Sequence, residues 1–156
     1  MIIREAKASD CKDILKLIKQ LAVYERAPEA VIVTEEQLKI DGFGENPVYK
    51  CFVADSGSEV VGFALVYFRY STWKGKCVYL EDFVVDEAQR GQGIGKQLFQ
   101  KVIDYTLDCK CYQLVWQVLD WNEPAINFYN KYNSTLDGEW INGTLTVDQL
   151  KVFAKN

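Results

Sequence analysis

Residues 90–95 read Arg-Gly-Gln-Gly-Ile-Gly, three glycines within five residues. An apolar, β-branched and aromatic run, Cys77–Val85, precedes them. After them apolar side chains recur at helical spacing: Ile94, Leu98, Phe99, Val102, Ile103 and Thr106. A glycine-rich turn between a strand and a helix gathers main-chain N–H groups ahead of a helix N-terminus, an arrangement suited to a pyrophosphate. Glycine serves there because a Cβ would block close approach of the backbone. Read alone, the loop fits a flexible turn before an ordinary helix equally well. Two nucleotide signatures do not fit. There is no GxxxxGK[ST], and the glycines read GxGxG late in the chain rather than GxGxxG after the first strand of a βαβ unit.

The spacing elsewhere predicts a strand at 2–6. A helix follows, with Ser9 and Asp10 as N-caps and Cys11, Ile14, Leu15, Ile18, Leu21 and Ala22 on one face, failing near Ala27-Pro28. Thr34-Glu35-Glu36-Gln37 is a capping box for a second short helix toward Gly42, and 41–47 reads as a loop. Segments 50–54, 60–70 and 77–85 read as an antiparallel meander with a hairpin turn at 55–58. Beyond the glycines come a strand at 113–118, a helix opened by Pro124, a strand-like 139–145 and a last short helix capped at Thr146. The order β-α-α-β-β-β-α-β-α-β predicts an α+β, mixed α/β chain around one central sheet, a single domain over 1–156.

Composition excludes several chemistries. Histidine is absent, so Ser-His-Asp and Cys-His machinery is excluded, as are Cys/His zinc sites, and no metal is expected. Proton transfer falls to Asp, Glu, Tyr, Lys, Cys or held water. The five cysteines are odd in number and lack CxxC spacing, which reads as reduced thiols of a cytoplasmic protein rather than a disulfide framework. A net charge of −4, from 18 basic and 22 acidic residues, supplies no basic field for nucleic acid and suits a cationic ligand better. No apolar run is long enough to span a membrane, and none is expected as a partner.

Arg90, Gly93 and Gly95 form an R-x-x-G-x-G pattern that resembles the coenzyme A signature of the GCN5-related N-acetyltransferase (GNAT) superfamily. Within it, Asp10-Cys11, Tyr24-Glu25, Asp41-Gly42-Phe43-Gly44, Tyr79-Leu80-Glu81-Asp82-Phe83 and residues 121–129 (WNEPAINFY) resemble the spermidine/spermine (diamine) N-acetyltransferase family. Residues 70–75 (YSTWKG) and 119–122 (LDWN) are most similar to its thialysine N-ε-acetyltransferase branch. The resemblance covers nearly the whole chain. It implies a GNAT fold, a mostly antiparallel sheet splayed at the acetyl-CoA site and flanked by helices. It implies direct transfer of acetyl from acetyl-CoA to the primary amine of a small diamine or lysine analogue, and a homodimer with active sites near the subunit interface.

The resemblance also implies residue roles. The backbone of Phe83, Val84 and Val85 would pair with the pantetheine amides as an added strand. Arg90, Gly91, Gln92, Gly93, Ile94, Gly95 and Lys96 would hold the pyrophosphate, and Asn122, Glu123, Pro124 and Ala125 would make a second coenzyme contact. Tyr129 matches the general acid that protonates the departing thiolate, and Glu81 the acid that binds the substrate cation and relays its proton, directly or through water. Tyr24, Glu25, Trp73, Val115, Trp116 and Gln117 match substrate-binding positions. Asp82 would point to the opposite face from Glu81 in a regular strand and ranks below it. Asp137, Glu139 and Trp140 match the amine site only across a gap.

One departure bears on the substrate. Polyamine-specific relatives carry an acid just before the Trp-containing turn, where this chain has Ser71. Losing that anion favours a shorter substrate over spermidine. The rivals are a polyamine-specific acetyltransferase, a protein-lysine acetyltransferase, a route through Cys77 as nucleophile, which no histidine would activate, and a non-catalytic sensor of coenzyme A or polyamine.

Overall fold

Apolar, β-branched and aromatic runs, buried almost continuously where helices cover both faces, make an antiparallel meander. A computed structural model describes residues 1–153 and shows these as β1 (Ile2–Glu5), β2 (Lys50–Asp55), β3 (Val60–Ser71) and β4 (Gly75–Val85). β5 (Gln113–Trp116) joins β4 in parallel, giving a mixed five-stranded sheet in the order β1-β2-β3-β4-β5. The helices are α1 (Cys11–Tyr24), α2 (Glu35–Phe43), α3 (Ile94–Asp108), α4 (Glu123–Asn130) and α5 (Val147–Phe153). The described chain divides into two compact units, Met1–Gln117 and a second beginning at Val118.

In the first unit each face of the sheet has its own core. Cys11, Ile14 and Leu17 of α1 and Leu38 of α2 are buried with Cys51, Val53, Phe63 and Val84 on one face. On the other, Phe83 lies 5.8 Å from Phe99 of α3, and Phe52 meets Tyr105 of α3 edge-on at 5.4 Å. Burying one Leu or Ile side chain contributes roughly 1.5–3 kcal/mol, so each face is held by several such contributions. Leu17, which the expected face left out, is buried three residues beyond Ile14 on the same stripe, while Ala22 is only partly buried.

Asp10 does not cap forward as expected. A short 3₁₀ turn, Ala8–Asp10, precedes α1, and the buried Asp10 carboxylate reaches back. It accepts the Lys7 N–H at 2.7 Å and both Arg4 guanidinium nitrogens at 2.7 and 3.0 Å. Arg4 Nε also donates to Asp55 at 2.9 Å, so one guanidinium ties β1, α1 and the end of β2 together. The Thr34 cap forms, its hydroxyl accepting the Gln37 N–H at 3.1 Å, but the Gln37 side chain turns forward to Asp41. α2 runs through Phe43, into the segment expected as a loop, and the strand expected over 113–118 ends at Trp116.

In the second unit, Asn122 caps α4 by accepting the Ala125 N–H at 3.3 Å, and Pro124 occupies the first turn. Residues 139–145, expected as a strand, are irregular. Asp137 captures the Glu139 N–H at 2.9 Å and the Trp140 indole N–H at 3.1 Å, local bonds that compete with a strand ladder, and Ile141 is 97% exposed. Thr146 and Gln149 form a reciprocal capping box at the start of α5.

Candidate active site

The centre of the site is an irregularity in the β3–β4 ladder. Tyr67 pairs with Tyr79 and Val66 with Leu80, but Leu65 pairs with Asp82. Glu81 is the extra residue of a β-bulge. The slip changes which side chains share a face. Phe63, Leu65 and Tyr67 alternate along β3 on the side that α1 covers, opposite Val84, Asp82 and Tyr79. Asp82 therefore faces the α1 side, and Glu81 reaches the same side, where its Oε2 accepts the Tyr67 hydroxyl at 2.8 Å. This corrects the expectation that Glu81 and Asp82 lie on opposite faces: the strand is not regular there.

The two carboxylates have different surroundings. Glu81 is exposed and hydrogen-bonded; Asp82 is half-buried. Burial, and then the negative charges of Glu81 and Glu25, push the Asp82 carboxyl up to about 6. Desolvation also raises Glu25, just past the end of α1. Glu81 and Glu25 thus both lie within electrostatic reach of Asp82, an environment that attracts a cation. Tyr67 and Tyr79, with ring centroids 5.3 Å apart, wall this patch, and Arg69 lies over the Tyr79 ring at 5.7 Å. Burial raises both phenols. Tyr67 and Arg69 were not singled out from the sequence, and Tyr79 only as part of a matching block, although hairpin register counted back from the turn at Ser71 and Gly75 pairs Tyr67 with Tyr79.

The anion-binding elements lie farther along the same strand. The β4–β5 ladder runs from Cys77↔Gln113 to Leu80↔Trp116 and stops, while β4 stays paired with β3 through Val85. Residues 81–85 thus lie beyond the β5 ladder, the position expected to meet an extended amide. Side chains still anchor this stretch: Val84 is buried toward α1, and Phe83 packs on Phe99. Next comes the glycine loop. Gly91 and Gly93 adopt φ of +79° and +78°, and Gly93 is the N-cap of the 15-residue α3. Nothing lies within 4 Å of where a Cβ on either would sit. The loop is thus an open nest of main-chain groups at a helix N-terminus, with exposed Gln92 and Lys96 beside it, Ile94 buried beneath and Gly95 in the first helical turn. Arg90 is aimed by its Nε donating to Val85 O at 3.1 Å, and its guanidinium lies over the Tyr24 ring at 5.7 Å. A cleft of about 780 Å³ runs along α1, lined by Lys12, Lys16, Lys19 and Arg90 together with the acids Asp13, Glu35 and Glu87; its cations and the nest are the groups that bear on an anion. These groups fit a diphosphate with an amide-bearing arm.

Of the remaining expected positions, Val115 pairs with Tyr79 and adjoins the acidic patch, and Gln117 follows β5. Trp116 packs edge-on against Phe99 at 5.8 Å, on the α3 side. Trp73 is not brought to this patch within the chain. It is 86% exposed in the β3–β4 turn, and the six residue steps from Gly75 to Glu81 span about 20 Å. In the second unit, Asn122, Glu123, Pro124 and Ala125 form the N-terminal turn of α4. Tyr129 lies on α4, buried, with Phe128 edge-on at 5.4 Å, and its carbonyl accepts the Ser134 hydroxyl. Burial lifts its phenol well above the ordinary range, so it stays protonated at neutral pH.

Residues 11–133 match the acetyltransferase (GNAT) family. The chain is 49% identical over 137 residues to thialysine N-ε-acetyltransferase of Bos taurus, covering 83% of this chain and 81% of that protein. It is 41% identical to the human spermidine/spermine N(1)-acetyltransferase-like protein 1, covering 81% of this chain but 19% of that longer protein. Among solved structures, an integron cassette protein from the mobile metagenome of V. cholerae superposes with a TM-score of 0.78 at 24% identity, covering 99% of this chain and 98% of that one. An aminoglycoside acetyltransferase from an uncultured soil metagenomic sample superposes with a TM-score of 0.75 at 20% identity, covering 94% and 95%. These last two likenesses establish the fold. The sheet, the bulge, the glycine nest and the sequence relationships converge: the chain is an acetyltransferase and belongs to the GNAT family.

Proposed function

We propose that this chain transfers acetyl from acetyl-CoA to the primary amine of a small diamine or lysine analogue of the thialysine type, directly, in a ternary complex. The observation that carries the reading is the grouping of Glu81 and Asp82 on the α1 side of the sheet with Glu25 at the end of α1, and the glycine nest beyond the end of the same strand. The acids attract an ammonium; the nest suits a diphosphate. The similarity to thialysine N-ε-acetyltransferases supports the substrate class.

Each part of the chain has a task. Residues 83–85 offer main chain to the pantetheine amides, and Arg90 to Lys96, with Asn122, Glu123, Pro124 and Ala125, hold the phosphate end of acetyl-CoA. Bound there, acetyl-CoA supplies an acyl group activated as a thioester. Tyr24, Glu25, Glu81, Asp82, Val115 and Gln117 receive the amine, with Tyr67 and Tyr79 as walls. An ammonium has no lone pair, so a carboxylate in this group takes its proton before attack. Tyr129 holds the proton that a departing thiolate takes, and its raised pKa keeps it in the acid form.

Ser71 supports a short substrate. Its hydroxyl accepts the main-chain N–H groups of Trp73 and Lys74 at 3.3 and 3.2 Å, so it closes the turn and brings no charge. Comparing kcat/KM for thialysine, putrescine and spermidine tests the reading. Thialysine preferred supports it; a clear spermidine preference moves the chain to the polyamine-specific class. Two further assignments belong to the same reading. The chain works as one domain, since the family match runs from residue 11 to residue 133, and as a homodimer in the cytoplasm, where its five free cysteines stay reduced.

A further inference from the structure

This inference rests on the amine-acetylation reading and deepens it: it concerns which carboxylate takes the proton. Family resemblance gives that task to Glu81. The bulge makes Glu81 and Asp82 unequal. Glu81 is exposed, and an oxygen of its carboxylate already accepts the Tyr67 hydroxyl. Asp82 sits opposite Leu65, next to Val84 of the buried core, and makes no side-chain hydrogen bond among the described residues. Titratable groups surround it on its own strand and on the elements beside it. They are Glu81 and Tyr79 on β4, Glu25 after α1, Tyr67 on β3 and the Cys51 thiol on β2, with Arg69 held over Tyr79. The nearest charges are therefore anionic, and a proton on Asp82 relieves repulsion as well as desolvation.

We propose that Asp82 accepts the proton of the substrate ammonium, and that Glu81, held by Tyr67, serves as the fixed counter-charge. The step breaks one N–H bond and makes one O–H bond. The electron pair left on nitrogen becomes the lone pair that attacks, and the carboxyl returns its proton to water after turnover. This division of labour removes a conflict in using one carboxylate for both tasks. An anion that binds an ammonium also raises its pKa and opposes its deprotonation. Asp82 loses its charge as it takes the proton, while Glu81 keeps the amine in place. A carboxyl already raised toward neutrality meets a smaller gap to the ammonium than an ordinary carboxylate does. Tyr67 is then a positioning residue, acting through Glu81.

The test combines carboxyl ¹³C NMR titration of the free enzyme with pH profiles of kcat/KM for acetylation of thialysine, in wild type, Asp82→Asn and Glu81→Gln. The expected result is an Asp82 resonance titrating near pH 6, matched by the acid limb of kcat/KM. Asp82→Asn lowers kcat about 10²- to 10⁴-fold, the usual contribution of general base catalysis, and abolishes the limb. Glu81→Gln keeps the limb, moves it to lower pH because one neighbouring anion is gone, and raises KM. The assignment is overturned if Glu81→Gln abolishes the limb while Asp82→Asn retains it, or if Asp82 titrates below about pH 4.5. Should Asp82→Asn fail to fold by circular dichroism, Glu81→Gln and the wild-type titration decide alone. Wild-type enzyme that acetylates no amine sinks the functional reading. An active wild type whose limb follows Glu81 sinks only this assignment.

Discussion

The Tyr67 hydroxyl donates to Glu81 Oε2 at 2.8 Å across the bulge that separates the Tyr67↔Tyr79 pair from the Leu65↔Asp82 pair. This bond fixes where an exposed anion points. Tyr67→Phe should therefore raise KM for the amine several-fold, about 1 kcal/mol for one hydrogen bond to a charged group, while kcat and thermal stability change little. Steady-state kinetics with melting curves check this; a fall in kcat without change in KM would contradict it.

Asp82 should trade stability for activity. Its folded carboxyl sits near 6 against an ordinary value near 3.9, so between these values the folded state binds more protons than the unfolded one. Stability then falls as pH rises from about 4 through 6, and above that the ionised, half-buried group costs on the order of 2–3 kcal/mol. Asp82→Asn should be more stable than wild type at pH 8 by up to that amount, and nearly equal at pH 4. Urea unfolding at both pH values measures the difference.

Asp10 carries the opposite sign. Hydrogen bonds from Arg4, together with the Lys7 N–H, hold its carboxyl below the ordinary range. Its contribution is present above the unfolded pKa near 3.9 and is lost as pH falls through the depressed folded value. Asp10→Asn should cost about 1–3 kcal/mol at pH 7, since it weakens a largely buried pair, and the deficit should shrink below pH 3. Denaturant midpoints at the two pH values test this.

Gly93 tests the nest. With φ at +78° and open space at the Cβ position, Gly93→Ala meets backbone strain and no clash. It should lose about 1–2 kcal/mol and weaken coenzyme A binding tenfold or more by calorimetry, as the N–H groups at the start of α3 are reoriented. Unchanged affinity would place the phosphates elsewhere.

Much of this was legible from residue pattern. The meander follows from apolar, β-branched runs between turns, α1, α3 and the Pro124 helix from helical spacing and capping, and the nest from its glycines. The bulge was not read, because register depends on two strands at once. Its trace is nonetheless present: the buried positions Val78 and Leu80 keep period two, then Glu81 and Asp82 intervene and the α3-facing position moves to Phe83. Two adjacent acids inside an apolar strand mark the slip. Residues 139–145 misled because Trp140, Ile141 and Leu145 suit a strand by composition, while Asp137 closes a local turn instead. Arg4 has no pattern of its own; its clasp on Asp10 and Asp55 depends on three elements meeting.

Tyr129→Phe probes the proposed acid. With the phenol held protonated by burial, its removal should lower kcat about 10²-fold or more near pH 7.5 while leaving coenzyme A affinity nearly intact. Equal kcat in the two enzymes would transfer the acid role to another group.

The most direct measurement is thiol release from acetyl-CoA, with the acetylated amine identified by mass spectrometry, across thialysine, putrescine and spermidine at pH 8. The account predicts stoichiometric free coenzyme A and mono-acetylated product, thialysine turning over with the highest kcat/KM. Acetyl-CoA that binds by calorimetry yet releases no thiol with any of these amines would contradict it and leave a sensor in place of an enzyme.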